Sequence, residues 1–230
     1  MTDYLAASKI LYEMQEAGRI QMEKEKPSVD DLLDRNIALM VNRIDMVITR
    51  KIEETEDVVY ASFPCPSERA TLLRTYSANV GEEQVAYASS NWTLVNFKSR
   101  KILKAKELNM KKYTMGRYRN PFGDKKFKVT EEEEKAMETV GSFKVGRNDM
   151  DDNGHLNNIR YLEQVEKHVP ELSNGVFLKG IRLHFMKEAL YDEELTIKRL
   201  QKEGAYYFRM YKPDGEANFE CEIITSEAGL

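Results

Sequence analysis

Residues 147–158, Arg-Asn-Asp-Met-Asp-Asp-Asn-Gly-His-Leu-Asn-Asn, form the densest polar stretch ahead of any expected helix. Three chemistries fit such a run. As a plain turn and helix cap, its Asp and Asn side chains would satisfy free amides and Gly154 would allow a tight bend. Capping alone does not call for His155, Asn157 and Asn158 as well. As a calcium loop, Asp149, Asp151, Asn153 and Gly154 match the first half of an EF-hand. That loop needs a bidentate Glu at its twelfth position, which here is Arg160, and the preceding residues 142–147 read as strand. As an active site, Asp151, Asn153 and His155 alternate with Asp152 and Gly154 along an extended approach, so three functional side chains point one way. Helix-start amides beside them would polarise a carbonyl and hold a developing oxyanion. A carboxylate, an amide and an imidazole so placed suit attack on an acyl carbon by activated water.

Such a constellation needs a helix behind it and a sheet around it. Ile159, Leu162, Val165 and Val169 share one face of a helix expected over 156–168. Strands are expected at 142–147, 176–186, 194–203, 205–211 and 218–225, with Lys212-Pro213-Asp214-Gly215 as a hairpin turn. The first half repeats this order. A helix from about Leu5 to Lys24 carries Ala7, Ile10, Leu11, Met14, Ala17 and Gly18 on one face, and Pro27 with Ser28-Val29-Asp30 ends it. Strands follow at 37–52, 58–63, 70–80 and 84–97. Successive strands without helices between them make an antiparallel sheet, and a helix followed by such strands, twice, is an internal duplication at the level of element order. The fold class is α+β, each half a helix wrapped by an antiparallel sheet. The expected domains are 1–110, a linker at 111–138, and 139–230. A shift of 150 residues lays Leu5 on His155 and Ala7 on Asn157, so the first half has no catalytic set and is free to supply the acyl pocket.

Composition bounds the setting. The chain has 230 residues, 41% of them hydrophobic, enough to build a core. Its longest run without a polar residue is Ile37–Val41, far short of the ~18–20 residues a membrane helix needs, and no secretory signal is read at its start. Asn91-Trp92-Thr93 is then a chance sequon. Two cysteines, Cys65 and Cys221, make no disulfide framework, and the expected location is the cytoplasm. Cys65 sits between two prolines in an expected turn, while Cys221 alternates with Phe219 and Ile223 as a core thiol. His184 is expected to point outward, and His168 to end a helix where a partly positive imidazole is favoured. No Cys/His group has zinc spacing, and no cofactor is called for. Thirty-five basic and 39 acidic residues give a net charge of −4, which argues against nucleic-acid partners. Between Lys98 and Arg119 stand nine basic residues against Glu107 alone, +8 locally and −12 for the remainder. Such a run is either a solvated surface or a docking surface for an acidic partner.

With these residues in place, the chain resembles the acyl-acyl carrier protein (ACP) thioesterases of plants and bacteria, which have a double hot-dog fold. Their signature, Asp-x-Asp-x-Asn-x-His-x-Asn-Asn-x-x-Tyr, stands complete as Asp149, Asp151, Asn153, His155, Asn157, Asn158 and Tyr161. The opening helix with Met14-Gln15-Glu16-Ala17, the strand Ser90-Asn91-Trp92-Thr93-Leu94 and the segment Phe185-Met186-Lys187-Glu188-Ala189 agree in order. The resemblance implies a catalytic set of Asp151, Asn153, His155 and Glu188, supported by Asn157, Asn158 and Tyr161. Either Asp151 or Glu188 would activate water, His155 would assist proton transfer, and Asn153 with the helix-start amides would hold the thioester oxygen. The plant-type Cys beside the Glu is Ala189 here, which excludes a nucleophilic cysteine at that place. The implied substrate is a fatty acyl chain on acidic ACP, docked at Lys98, Arg100, Lys101, Lys104 and Lys106. Pairing with a second copy of the chain is left open. The rivals are a hot-dog acyl-CoA thioesterase or hydratase, and a non-catalytic acyl-binding module.

Overall fold

The apolar stripe of the opening helix is a packed face. A computed structural model of the chain describes residues 4–67, 70–123, 126–151 and 153–227. It falls into two compact units, Ile10–Asp124 and Lys125–Leu230, with Met1–Lys9 counted with the second.

Helix α1 (Ala7–Glu25) begins in the second unit and enters the first at Ile10, where it buries Ile10, Leu11 and Met14. Its polar flank is tied to the sheet by Arg74, whose Nη1 donates to Gln21 Oε1 and to Ser62 Oγ, each at 2.8 Å. Ser28, expected only to end α1, opens a second short helix, α2 (Val29–Leu33), through a capping box. Its Oγ accepts from Asp31 N at 3.1 Å and its own amide donates to Asp31 Oδ2 at 2.7 Å. The strands are β1 (Ile37–Ile48), β2 (Val58–Cys65), β3 (Thr71–Val80), β4 (Glu83–Asn96) and the two-residue β5 (Lys101–Ile102). They pair antiparallel in the order β2-β3-β4-β1, with β5 added to β4.

The basic stretch after β4 is anchored on this unit. Ala105, Leu108 and Tyr113 are buried in one cluster with Met22, Leu72 and Leu94, while all nine of its basic residues stay exposed. Further along, Tyr113 donates its hydroxyl to Pro27 O at 2.6 Å, and the Gly116 amide donates to Pro64 O at 2.7 Å. A Cβ on Gly116 would stand 2.6 Å from Phe63 Cβ, so only glycine lets the chain lie this close to β2.

The second unit opens with α3 (Glu131–Ala136), which Thr130 caps, and β6 (Glu138–Lys144). Helix α4 (Asn158–Glu166) follows, then β7 (Leu178–Phe185), β8 (Glu194–Lys202), β9 (Ala205–Tyr211) and β10 (Ala217–Thr225). The sheet runs β7-β10-β9-β8-β6, antiparallel throughout. The α4 face of Ile159, Tyr161, Leu162 and Val165 is buried, and the Tyr161 ring stacks on Phe219 at 4.8 Å between centroids.

Three expectations are overturned. His184 lies across the strand from the α4 face, but it does not point freely outward. Its Nδ1 is 2.8 Å from Oε1 of fully buried Glu220, whose other oxygen accepts from Arg209 Nη2 at 3.0 Å and Val129 N at 3.3 Å. Buried Phe127 and Val129 mark the chain that covers this face. Burial alone would raise the Glu220 carboxyl pKa, but the His184 hydrogen bond and the Arg209 charge outweigh it and hold it low. His168 is not favoured as a cation, because burial, Arg199 and Lys167 all hold its pKa down. Cys65 is not in a turn but closes β2, with no solvent exposure. Cys221 is buried as expected, and burial pushes both thiols up in pKa. Among the described residues, no helix is long and apolar enough to cross a membrane.

Candidate active site

The polar run before α4 folds into a closed turn rather than an extended approach. Met150 and Leu156 form an antiparallel bridge. Inside it, Asp151 N donates to His155 O at 2.7 Å and Gly154 N donates to Asp151 O at 3.0 Å. Asp151 drives the bend, since its Oδ1 accepts from Asn153 N at 2.9 Å and His155 N at 3.0 Å, an Asx turn that outcompetes extended backbone. Gly154, at φ +80°, sits in the left-handed region that closing the turn requires. Asp149 fastens the base, where its carbonyl accepts from Asn157 N at 2.8 Å and its Oδ2 from Gly146 N at 2.9 Å. Asn153 is exposed at the tip and His155 is half-buried, while Asp152 lies outside the described residues.

Helix α4 starts at Asn158, two residues later than expected, because Asn157 is its cap. Asn157 Oδ1 accepts from Ile159 N and its carbonyl from Arg160 N, both at 2.9 Å. Two amides assigned by expectation to substrate are therefore taken by the cap.

The decisive partner arrives from the loop after β7. Leu156 N donates to Ala189 O at 2.9 Å, drawing that loop alongside the turn. Glu188 Oε2 then lies 3.0 Å from His155 Nε2, and the two side chains keep 41% and 31% of their surface exposed. A carboxylate–imidazole pair with this much open surface can hold or move a proton for a molecule arriving from solvent. Glu188 is held from behind, with its carbonyl accepting from Lys212 Nζ at 3.1 Å.

Sequence reasoning missed Asn218. Its carbonyl accepts from Met186 N at 2.9 Å and Lys187 N at 3.1 Å, fixing the two residues before Glu188. Its Nδ2 donates to Tyr161 OH at 3.0 Å. A β-bulge between Ala217 and Phe219 frees Asn218 from the strand's alternation, which is how a polar side chain comes to lie fully buried there. Burial also drives the Tyr161 phenol pKa upward, so Tyr161 stays neutral beneath the site. An Asn opening a β-rich run was the only signal available. Asp151, Asn153, His155, Asn157, Asn158 and Tyr161 thus belong to one turn and helix, and Glu188 joins them. Lys98, Arg100, Lys101, Lys104 and Lys106 belong to the first unit. Among the described residues, no three His, Cys, Asp or Glu side chains gather as a metal site.

Residues 132–226, the stretch that carries the turn, α4 and Glu188, match the acyl-ACP thioesterase C-terminal domain. This C-terminal stretch is similar to the acyl-ACP thioesterase family. That match, with the fold, supports thioester hydrolysis of fatty acyl chains carried by ACP. The chain's tandem hot-dog fold is shared with an acyl-ACP thioesterase from Bacteroides thetaiotaomicron, at 18% identity and a TM-score of 0.85, covering 97% of this chain and 91% of that one. The 12:0-ACP thioesterase from Umbellularia californica is similar, at 15% identity and a TM-score of 0.83 over 97% of this chain and 90% of that one. No curated protein matches the chain in sequence.

Proposed function

We propose that the chain hydrolyses fatty acyl-ACP thioesters and that Glu188 and His155 are its proton-handling pair. The observation that carries the reading is their 3.0 Å contact, made between two segments distant in sequence and still open to solvent. Water attacks the acyl carbon as the pair takes its proton. The carbon–sulfur bond breaks, and the pair returns that proton to the departing carrier thiolate, leaving free fatty acid. Asn153, exposed at the tip of the turn, hydrogen-bonds the thioester oxygen as charge develops on it. Asp151 is a positioning residue because its Oδ1 is committed to two backbone amides. Asn157 caps α4, Asn158 begins it, and Tyr161 supports the Glu188 loop. Hydrolysis by this route asks only for water. The reducing cytoplasm is the compartment that suits two free cysteines.

The carrier docks on the exposed cations Lys98, Arg100, Lys101, Lys104 and Lys106, since the rest of the chain is net acidic and would repel it. The test compares wild type with Glu188→Gln on acyl-ACP and on acyl-CoA of the same chain length. Glu188→Gln should lower kcat by about 10²–10⁴-fold on both substrates with its circular dichroism unchanged. Wild type should show a lower KM for the carrier thioester. Undiminished turnover in Glu188→Gln would remove the pair from the mechanism, and equal KM values would favour the acyl-CoA reading. Reversing Lys101, Lys104 and Lys106 to Glu should raise KM for acyl-ACP alone, an effect that added salt abolishes because screening acts within ~8–10 Å.

A further inference from the structure

Five cations explain attraction to an acidic carrier, but not a lasting contact. Surface ion pairs are individually weak and screened, whereas stable interfaces have an apolar centre inside a polar rim. Such a centre stands within the basic stretch. Strands β4 and β5 form a hairpin in which Val95 faces Ile102 and Asn96 faces Lys101. Phe97 follows directly after β4, in the turn that joins the two strands. The Phe97 and Ile102 side chains are both exposed. Ile102 is 66% exposed, the most of any large apolar side chain among the described residues, and Phe97 is 46% exposed. Lys98, Arg100, Lys101 and Lys104, all exposed, neighbour them in sequence.

The hairpin is also built to hold its shape. Asn96 Oδ1 accepts from Ser99 N at 2.8 Å and Ser99 Oγ at 3.0 Å, closing the loop, and Arg100 takes φ +54° at its corner. Phe97 N donates to Asn36 O at 3.0 Å and Leu103 N to Leu94 O at 2.8 Å, extending the ladder on both sides. Buried Ala105 and Leu108 pin the chain just beyond. A rigid loop that shows an aromatic and a branched aliphatic side chain to water, among exposed cations of the same segment, loses little entropy on binding.

We propose that Phe97 and Ile102 are the apolar anchors of the carrier contact, seating an apolar spot on the acidic ACP surface while the neighbouring cations steer and orient it. This rests on the docking assignment above and adds to it the part that salt cannot screen.

The test sets Phe97→Ser/Ile102→Thr beside Lys98→Glu/Lys101→Glu, each assayed on acyl-ACP and on acyl-CoA of the same chain, at low and high salt. The apolar pair should raise KM for acyl-ACP about tenfold at both salt concentrations, with kcat within about twofold and acyl-CoA hydrolysis unchanged. The lysine pair should raise it at low salt only. An unchanged KM in the apolar variant overturns the anchors. If the lysine variant still responds, the docking surface stands without them, and if neither responds, both fall. Equal loss on both substrates would make the hairpin part of the fold or pocket, against the proposal. A wild-type dimer that the apolar substitutions alone convert to monomer, by sedimentation, would assign the pair to a second copy of the chain and also overturn it.

Discussion

Helices α1 and α4 hold corresponding places in the duplicated element order, yet their first turns are finished in opposite ways. α4 brings its own cap. Asn157 serves the leading amides and the Asp151 turn closes on itself, so His155 is left unspent and meets Glu188 at the surface. α1 has no polar run ahead of it, only Tyr4, Leu5 and Ala6 among the described residues. Its first turn borrows a carboxylate from the end of α4, with Ser8 N donating to Glu166 Oε1 at 3.0 Å and Ser8 Oγ to Oε2 at 2.6 Å. Burial raises the Glu166 carboxyl pKa, and the Ser8 hydrogen bonds offset that only in part. Ahead of α4, Asn157 and Asp151 satisfy the neighbouring amides, which leaves the His155 side chain to meet Glu188. Where the cap must come from afar, the same carboxylate chemistry is spent on architecture.

The sharpest way to break this contrast is to remove one residue from each start. His155→Ala should cut kcat by about 10²–10⁴-fold with the fold intact by circular dichroism, while Ser8→Ala should keep its turnover and lose only ~1 kcal/mol of stability. Comparable loss of activity in Ser8→Ala would erase the distinction. Next in size, Asp151 separates positioning from proton transfer. Asp151→Asn retains an oxygen for the Asn153 and His155 amides and should stay within about tenfold of wild type, whereas Asp151→Ala should lose about 10²-fold. If Asn is as damaging as Ala in steady-state assays, Asp151 handles a proton itself. The smallest effect is at Glu166. Urea titration should show Glu166→Ala about 1–3 kcal/mol less stable and Glu166→Gln close to wild type. Since burial raises this carboxyl, folding favours its protonated form. That contribution is whole below the ordinary Glu pKa of about 4.3 and fades as pH climbs through the higher folded value. The Gln variant should therefore gain on wild type as pH rises through that window, and a constant difference would count against a strained carboxylate.

Much of the architecture was legible because long antiparallel strands write it plainly. Strand β9 has the expected ends, 205–211, and β8 and β10 fall within one residue of theirs. Helices α2 and α3 were missed because five and six residues are too few to show a periodic stripe. Their capping boxes, Ser28 with Asp31 and Thr130 with Glu133, were the readable signs. The polar run was found, but its shape was misjudged. Alternation suggests extended chain, and it took the Asp151 carboxylate competing for backbone amides to bend it. What no spacing can reveal is a contact between distant segments. Glu188 reached the site on resemblance alone, and Asn218 stayed hidden because a bulge breaks the alternation that places residues on faces. The basic stretch shows the same limit, since its charges are countable while the buried Ala105, Leu108 and Tyr113 that fasten it are visible only in the fold.

The two cysteines carry a practical corollary. Cys65 and Cys221 are sealed from solvent, burial disfavours their thiolates, and the residue after Glu188 is a buried alanine, Ala189. Disulfide exchange runs through an accessible thiolate, which the folded protein does not present. A chromogenic disulfide such as dithionitrobenzoate can therefore stay in the cuvette throughout turnover, reporting each carrier thiol as it is freed while leaving the catalyst unmarked. A slow second colour phase would then time unfolding, as the buried sulfurs come into reach.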